Sequence, residues 1–106
     1  MKKENQTSKW ILQPQEVEGT YSFSGQSFAT ARVAEQIPPF ELFQMTAKIR
    51  KQVVLKGGVD YLQVFKNSSG KKIFAIDNLN KEMKQNNDPE FVRENDYFTI
   101  LFADEY

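Results

Sequence analysis

The chain contains neither cysteine nor histidine in its 106 residues. Without cysteine there is no disulfide, no thiolate nucleophile and no cysteine-ligated zinc site. Without histidine the chain lacks the commonest general base and the commonest transition-metal ligand, so a Ser-His-Asp or Cys-His arrangement cannot form. Only carboxylates, lysines, tyrosines and hydroxyls remain for chemistry. We therefore expect a non-enzymatic protein that uses no cofactor and no metal.

Long apolar runs are also missing. No run approaches the roughly 18 residues that a membrane span needs, and the opening MKKENQTSKW is charged and polar, unlike a signal peptide. These features predict a cytoplasmic protein that does not enter a membrane.

What the chain does contain is an aromatic-rich composition, with nine Phe, four Tyr and one Trp. At this length such a composition folds as one domain around its own core. We expect residues 1–8 to be a flexible tail and residues 9–106 to be a single α+β domain. Its predicted architecture is a small antiparallel sheet with one main helix packed across it.

The strands are predicted from the alternation of apolar residues. The clearest pattern is a hairpin of 59–66 and 71–77 around the turn Asn67-Ser68-Ser69-Gly70. Further strands are predicted at 9–12, 27–33 and 97–102. The polar stretch after 77 predicts one helical turn through Met83, and Asp88-Pro89 is expected to break it.

The main helix is predicted to begin at Ile37-Pro38-Pro39 and to run to about residue 54, where Gly57-Gly58 supplies the stop. At about 100° per residue, two apolar stripes lie on its surface. The Phe40 stripe consists of Phe40, Phe43, Ala47 and Val54, and the Met45 stripe consists of Leu42, Met45, Ile49 and Val53. Two interpretations stay open: the domain covers both stripes, or one stripe contacts a second protein chain. Arg50, between the stripes, is expected to lie along apolar surface or to pair with a carboxylate of the acidic C-terminal third.

Net charge is zero, but its distribution along the chain is uneven. Basic residues dominate 46–72 and acidic residues dominate 86–106, which predicts a dipolar molecule with a face suited to a charged partner. An acidic set could bind an arginine-rich groove on a nucleic-acid enzyme, because arginine pairs with carboxylate as it does with phosphate. This acidic set consists of Asp88, Glu90, Glu94, Asp96, Asp104 and Glu105.

The basic residues support an alternative function, binding of nucleic acid by a charged platform with stacking rings such as Tyr61 or Phe65. This lysine set consists of Lys48, Lys51, Lys66, Lys71 and Lys72. The carboxylate spacing matches no Ca²⁺ loop, and the glycine-lysine stretches match no Walker-type phosphate loop. A third possibility is a structural homodimer joined through the spare stripe of the helix.

Three stretches together resemble a family of small uncharacterised proteins from Firmicutes, often encoded on mobile elements. They are FATARVAEQIP (28–38), DYLQVF (60–65) and TILFADEY (99–106). The chain departs from the family pattern at Arg32, where a Gly is expected, and in residues 1–26. The resemblance implies an accessory protein of a phage or mobile element, and proteins of this kind often block a host factor. We therefore predict an inhibitor of a host defence nuclease, of the anti-CRISPR or anti-restriction type, acting through the acidic set as a monomer or homodimer.

Overall fold

In the computed structural model, residues 10–106 are described, so the tail predicted at 1–8 lies outside them. These residues form five strands, four α-helices and a 3₁₀ turn in the chain order that follows. They are β1 (Ile11–Leu12), β2 (Gln26–Ala29), α1 (Ala31–Gln36), α2 (Pro39–Lys56), β3 (Leu62–Lys66), β4 (Lys72–Asp77), α3 (Lys81–Asn86), α4 (Pro89–Asn95), β5 (Tyr97–Phe102) and the 3₁₀ turn Ala103–Glu105. The predicted α+β class is confirmed.

The strands form one sheet in the order β1-β3-β4-β5-β2. β3 and β4 form the predicted hairpin, in which Lys66 lies opposite Lys72. Its turn is closed by Asn67, whose Oδ1 accepts hydrogen bonds from the backbone N–H groups of Ser69 (3.1 Å) and Lys71 (2.9 Å). Gly70 has φ 85°, a left-handed conformation that costs glycine least.

The sheet is mixed rather than fully antiparallel, because β2 pairs with β5 in parallel. The strand predicted at 27–33 is wrong beyond Ala29. Thr30 ends it by acting as a helix N-cap, and its Oγ1 accepts a hydrogen bond from the backbone N–H of Val33 (3.3 Å). α1 then packs at the end of the sheet, with Val33 fully buried, and leads the chain into α2.

α2 has the bounds that its sequence signals indicate. Pro39 stands at the first helical position, where its missing N–H removes no hydrogen bond, and Gly57 ends the helix with φ 77°. The Met45 stripe packs on the sheet: Met45 and Ile49 are 2% and 1% exposed, and Leu42 and Val53 lie against the same core.

The stretch between β4 and β5 contains two short helices instead of the predicted single turn. Asn80 caps α3 through a hydrogen bond from the N–H of Met83 (2.8 Å). Asp88 caps α4 by accepting one from the N–H of Phe91 (2.9 Å), and Pro89 occupies its first position. The break predicted at Asp88-Pro89 is present, but the second helix that follows it was not predicted. The dipeptide ends α3 and also begins α4.

A buried polar link fastens the segment before β2 to the core. Phe23 is fully buried with φ 50°, an unusual backbone conformation for a large side chain. Its N–H donates to the Asp77 carboxylate (2.9 Å), and its C=O accepts a hydrogen bond from Arg50 Nε (2.8 Å). Arg50 Nη2 also donates to the Gly25 carbonyl at 3.4 Å. Arg50 is thus held by backbone carbonyls, and the carboxylate partner that the sequence suggested is not the one it uses.

Candidate functional site

The acidic set does not form one surface, because β5 divides it. Asp96 directly precedes β5, whereas Asp104 and Glu105 follow it. A strand of this length separates its two ends by roughly 20 Å. The two groups of carboxylates therefore lie at opposite ends of the sheet.

The group after β5 holds α1 against the end of the sheet. Asp104 forms an exposed ion pair with Arg32, 2.9 Å between Oδ1 and Nη1, and this hydrogen bond lowers the pKa of Asp104. Glu105 Oε1 accepts hydrogen bonds from Thr30 Oγ1 (2.9 Å) and from the N–H of Phe102 (2.8 Å). Both carboxylates thus have partners within the chain.

The group before β5 is also partly occupied by the fold. Asp88 is the N-cap of α4, and Asp96 lies 3.1 Å from Lys84 Nζ in a half-buried ion pair. Glu90 and Glu94 are exposed on α4. Within residues 10–106 these two are the members of the acidic set for which no hydrogen bond or ion pair is found. A partner would therefore find two free carboxylates at this site rather than six.

The lysine set is divided between the two faces of the sheet. Lys48 and Lys51 lie on α2 beside a groove of about 430 Å³ that Gln13 and Gln15 also line, and Lys48 Nζ donates to the Trp10 carbonyl (3.0 Å). Lys66 alternates with the buried Phe65, so it and its cross-strand neighbour Lys72 point to the face opposite α2.

Lys71 lies on the helix side of the sheet, where its Nζ is 4.6 Å from the centroid of the Phe102 ring. Lys66, Lys71 and Lys72 share the hairpin end of the sheet. Lys48 and Lys51 belong to a separate surface. Of the rings suggested for stacking, Phe65 is fully buried and Tyr61 is partly exposed. The structure thus brings together part of the predicted nucleic-acid platform but not the whole of it.

The outer side of α2 is an exposed apolar surface. The Phe40 stripe lies in solvent: Phe40 is 69% exposed, Phe43 73% and Val54 82%, and Ala47 between them is exposed as well. Nothing in residues 10–106 covers this stripe, although the Met45 stripe of the same helix is buried. The described residues thus do not cover both stripes, and contact of one stripe with a second protein chain stays a prediction.

The Phe40 stripe continues into a groove between α2 and β2. This groove has a volume of about 350 Å³ and is lined by Ser27 and Ala29 on the strand and by Pro39, Leu42, Phe43 and Thr46 on the helix. Arg50 lines the same groove and is fixed there by its hydrogen bonds to Phe23 and Gly25. The groove is therefore lined by both apolar and polar side chains, with the cation of Arg50 fixed among them.

β2 is an edge strand, and all four of its residues are exposed. Gln26 and Thr30 donate their N–H groups to the carbonyls of Asp96 and Ile100 on the β5 side. Because alternate residues of a strand face the same neighbour, the backbone groups of Ser27 and Ala29 point away from the sheet. We call the Phe40 stripe, the groove and this free edge together the α2–β2 surface.

The sequence pattern predicted one half of this surface and missed the other. The Phe40 stripe follows directly from the helical projection. The free edge did not, because the segment containing β2 was predicted as a longer strand over residues 27–33. A Thr followed by a helix-compatible run, ARVAEQ, was the signal for its early end.

Residues 10–106 contain no group of three acidic side chains arranged to hold a metal ion. Nor does any helix in this range combine the length and the apolar content required to cross a bilayer.

No protein-family model, no curated protein and no solved structure matches this chain. The resemblance to the Firmicutes mobile-element family thus stays a prediction.

Proposed function

We propose that this chain is a non-enzymatic protein-binding accessory factor that acts in the cytoplasm and contacts its partner through the α2–β2 surface. The observation that carries the proposal is the exposure of Phe40, Phe43 and Val54, at 69%, 73% and 82%, on one side of a helix whose other side is well packed. A contiguous apolar patch of this kind is typical of a protein interface. Large aromatic side chains are also the residues that most often anchor such interfaces.

The acidic set has less support as the contact face. Four of its six members already cap a helix or accept contacts within the chain. To use them, a partner would have to replace the existing contacts, which removes much of the gain. Glu90 and Glu94 remain free to add charge complementarity at a distance from the α2–β2 surface.

The class of partner is taken from the family resemblance. It implies a factor of a phage or mobile element that blocks a host defence nuclease, of the anti-CRISPR or anti-restriction type. In this proposal the apolar α2–β2 surface supplies most of the binding free energy. Nucleic-acid binding by the lysine set is less well supported, because its members lie on opposite faces of the sheet and Lys48 already donates to Trp10.

A pull-down from a Firmicutes lysate tests the proposal. Phe43→Glu and Val54→Glu should each weaken capture of the partner about tenfold or more, because they place charge in the centre of an apolar contact. Leu55→Glu is the matched control, because Leu55 is 67% exposed on the same helix but turned about 100° away from Val54.

A second pair of variants separates the two candidate surfaces. The double variant E90K/E94K should leave capture of the partner nearly unchanged. Loss of capture in E90K/E94K combined with normal capture by Phe43→Glu would move the contact face to the acidic set and overturn the proposal.

A further inference from the structure

We infer that the α2–β2 surface binds an extended peptide segment of the partner protein, which adds to β2 as a further strand and places an acidic side chain against Arg50. The inference rests on the proposed function, because it takes the same surface to be a protein interface, and it names the chemistry of the occupant. Its basis is an open strand edge, a groove beside that edge and a cation that is fixed in the groove.

The open edge is β2, and it differs from the opposite edge of the sheet. β1 has only two residues and is soon followed by Pro14, and short strands and prolines are common protections of an exposed edge. Gln26–Ala29 contains neither proline nor a charged residue, and it pairs with β5 in unbroken register. β2 is therefore the edge that is open to strand addition.

The backbone groups that a new strand would use belong to Ser27 and Ala29. Gln26 and Thr30 donate their N–H groups to carbonyls on the β5 side, so the N–H and C=O groups of Ser27 and Ala29 point outward. An antiparallel segment forms a hydrogen-bonded pair with each of these two residues. Such backbone hydrogen bonds supply affinity whatever the sequence of the segment, so that its specificity depends on side chains.

The side chains of Ser27 and Ala29 lie on the same face of the sheet as α2. In the register with β5, Ser27 lies opposite the buried Phe98, and Ala29 lies opposite the buried Ile100. Residues of an added strand that pair with Ser27 and Ala29 point to this same face, because directly opposed residues share a face of the sheet. Alternate side chains of the segment therefore point towards the flank of α2 that lines the groove.

The groove is apolar at one end and cationic at the other. On the helix side it is lined from Pro39 to Arg50. Arg50 donates to the carbonyl of Gly25, immediately before β2, so the cationic end lies at the start of β2. Leu42 and Phe43 line the groove further towards the other end of β2. A segment in the groove thus meets apolar side chains at one position and a cation at another.

Arg50 is held in place but retains donors for a ligand. Its Nε and Nη2 donate to the carbonyls of Phe23 (2.8 Å) and Gly25 (3.4 Å), and its Cζ lies 5.7 Å from the centroid of the Phe98 ring. Its Nη1 has no acceptor among residues 10–106. Because the guanidinium is already fixed, it loses little side-chain entropy when it binds a carboxylate.

The surroundings of Arg50 are complementary to a negative charge. Arg50 and Lys51 line an adjoining groove of about 360 Å³, and no acidic side chain of residues 10–106 lines either groove. The backbone groups around Arg50 are carbonyls, whereas a chain's terminal carboxylate is usually captured by a cluster of backbone N–H groups. The occupant is thus an internal segment with an aspartate or glutamate side chain, and not a C-terminus.

These positions predict a sequence pattern for the segment. In the antiparallel direction, which is slightly the more stable pairing, the residue opposite Ala29 comes first and the residue opposite Ser27 comes two positions later. The first points towards Phe43 and should be apolar, and the second points towards Arg50 and should be acidic. The residue between them lies on the other face of the sheet. The predicted pattern is apolar-x-acidic.

Selection of displayed peptides on the full chain tests this pattern. The probe is a library of random dodecapeptides fused to the N-terminus of a phage coat protein, so that no peptide ends in a free carboxylate. The wild type should enrich peptides with the apolar-x-acidic pattern, whereas Ser27→Pro should not. Proline at 27 removes an outward N–H that β5 does not use, so the sheet keeps its own ladder. Circular dichroism checks that Ser27→Pro is folded.

A synthetic copy of the most enriched peptide tests the contact with Arg50. Replacing its acidic residue by the corresponding amide should weaken binding to the wild type about tenfold, because a charge-assisted hydrogen bond is lost. In Arg50→Gln the same replacement should change binding less than about twofold, because the cation is already absent. Lys56→Gln is the matched control, since Lys56 is an exposed cation on α2 that lines neither groove, and it should behave like the wild type. Fluorescence anisotropy measures each dissociation constant.

Several results would overturn the inference. One is a selection that yields no apolar-x-acidic peptides, and another is the enrichment of the same peptides by Ser27→Pro. An amide peptide that binds the wild type as tightly as the acidic peptide would remove the contact with Arg50, and this comparison uses the unaltered chain. A second library with free C-termini that alone yields binders, all ending at the acidic position, would replace the internal segment by a chain terminus.

The pull-down separates this inference from the proposed function. Ser27→Pro should lose capture of the partner, as Phe43→Glu does. If Phe43→Glu loses capture and Ser27→Pro keeps it, the α2–β2 surface is an interface to which no strand is added, and the inference alone fails. If both variants keep capture, the proposed function fails as well.

Discussion

The two apolar stripes of α2 are similar in composition but lie in different environments. The Met45 stripe packs on the sheet, with Met45 and Ile49 almost fully buried, whereas the Phe40 stripe on the other side of the helix is exposed. Hydrophobicity alone therefore does not separate core from interface in this helix. The difference arises because the sheet packs on one side of α2, and no other element of residues 10–106 covers the opposite side.

The acidic residues show the opposite relation. Acidic side chains are expected to lie in solvent. Four of them nevertheless have contacts within the fold: Asp88, Asp96, Asp104 and Glu105. In this molecule several charged side chains maintain the structure, and several apolar ones remain available to a partner. The expected roles of the two classes are thus partly exchanged.

Truncating one residue in each stripe tests this comparison most strongly. Ile49→Ala should lower the free energy of unfolding by about 2–5 kcal/mol, because it removes buried methyl groups and leaves a cavity in the core. Val54→Ala removes apolar atoms that are already in water, and it should change the free energy of unfolding by less than about 0.5 kcal/mol. Urea denaturation followed by circular dichroism measures both. The samples should be dilute enough to be monomeric, because a dimer would add its own stabilisation.

One outcome of this experiment would contradict the conclusion that the Phe40 stripe is exposed to solvent. A loss of stability for Val54→Ala that approaches the loss for Ile49→Ala would mean that the monomer covers the Phe40 stripe. The comparison on which the α2–β2 surface depends would then be wrong.

The second prediction concerns Asp77, which belongs to the buried link beneath α2. Its carboxylate accepts hydrogen bonds from the N–H groups of Phe23 (2.9 Å) and Asn78 (3.0 Å). Asp77→Ala leaves the buried N–H of Phe23 without its partner and should cost about 1–3 kcal/mol of unfolding free energy. Glu90→Ala is the matched control, because Glu90 is exposed, and it should change little. Chemical denaturation of the two variants distinguishes an acid that the fold uses from one that it leaves free.

Local signals predicted most of the framework from the sequence. Pro39 and Gly57 marked the ends of α2, Asn67-Ser68-Ser69-Gly70 marked the hairpin turn, and alternation marked β3, β4 and β5. These features are determined by residues that are close together in the chain, so they can be predicted from a single sequence. The α+β class followed directly from their sum.

The features that were missed depend on residues far apart in the chain. Ser27 and Ala29 became an edge because β2 pairs in parallel with β5, roughly seventy residues later. Asp88-Pro89 was interpreted as a break because the same dipeptide both ends and begins helices. The division of the acidic set required knowing that β5 runs between its two groups. The Phe40 stripe was visible in the sequence, but its exposure depended on which face of α2 the sheet occupies.

The last and smallest effect is a pair of opposite pH dependences for two aspartates. Burial raises the pKa of Asp77 above its ordinary 3.8, although the hydrogen bonds from Phe23 and Asn78 oppose this. The folded state then holds more protons than the unfolded state from about pH 3.8 upwards, so this group lowers stability as the pH rises through its folded pKa.

For Asp104 the hydrogen bond from Arg32 lowers the pKa below 3.8. Its contribution is therefore present above pH 3.8 and is lost as the pH falls below it. Thermal melts over about pH 2.5 to 6 should show that Asp77→Asn removes the decline above pH 3.8. Asp104→Asn should flatten only the acid side, and its effect should vanish in about 1 M salt, where exposed ion pairs are screened. A decline above pH 3.8 that survives in Asp77→Asn would mean that another group, rather than the buried link beneath α2, titrates with folding.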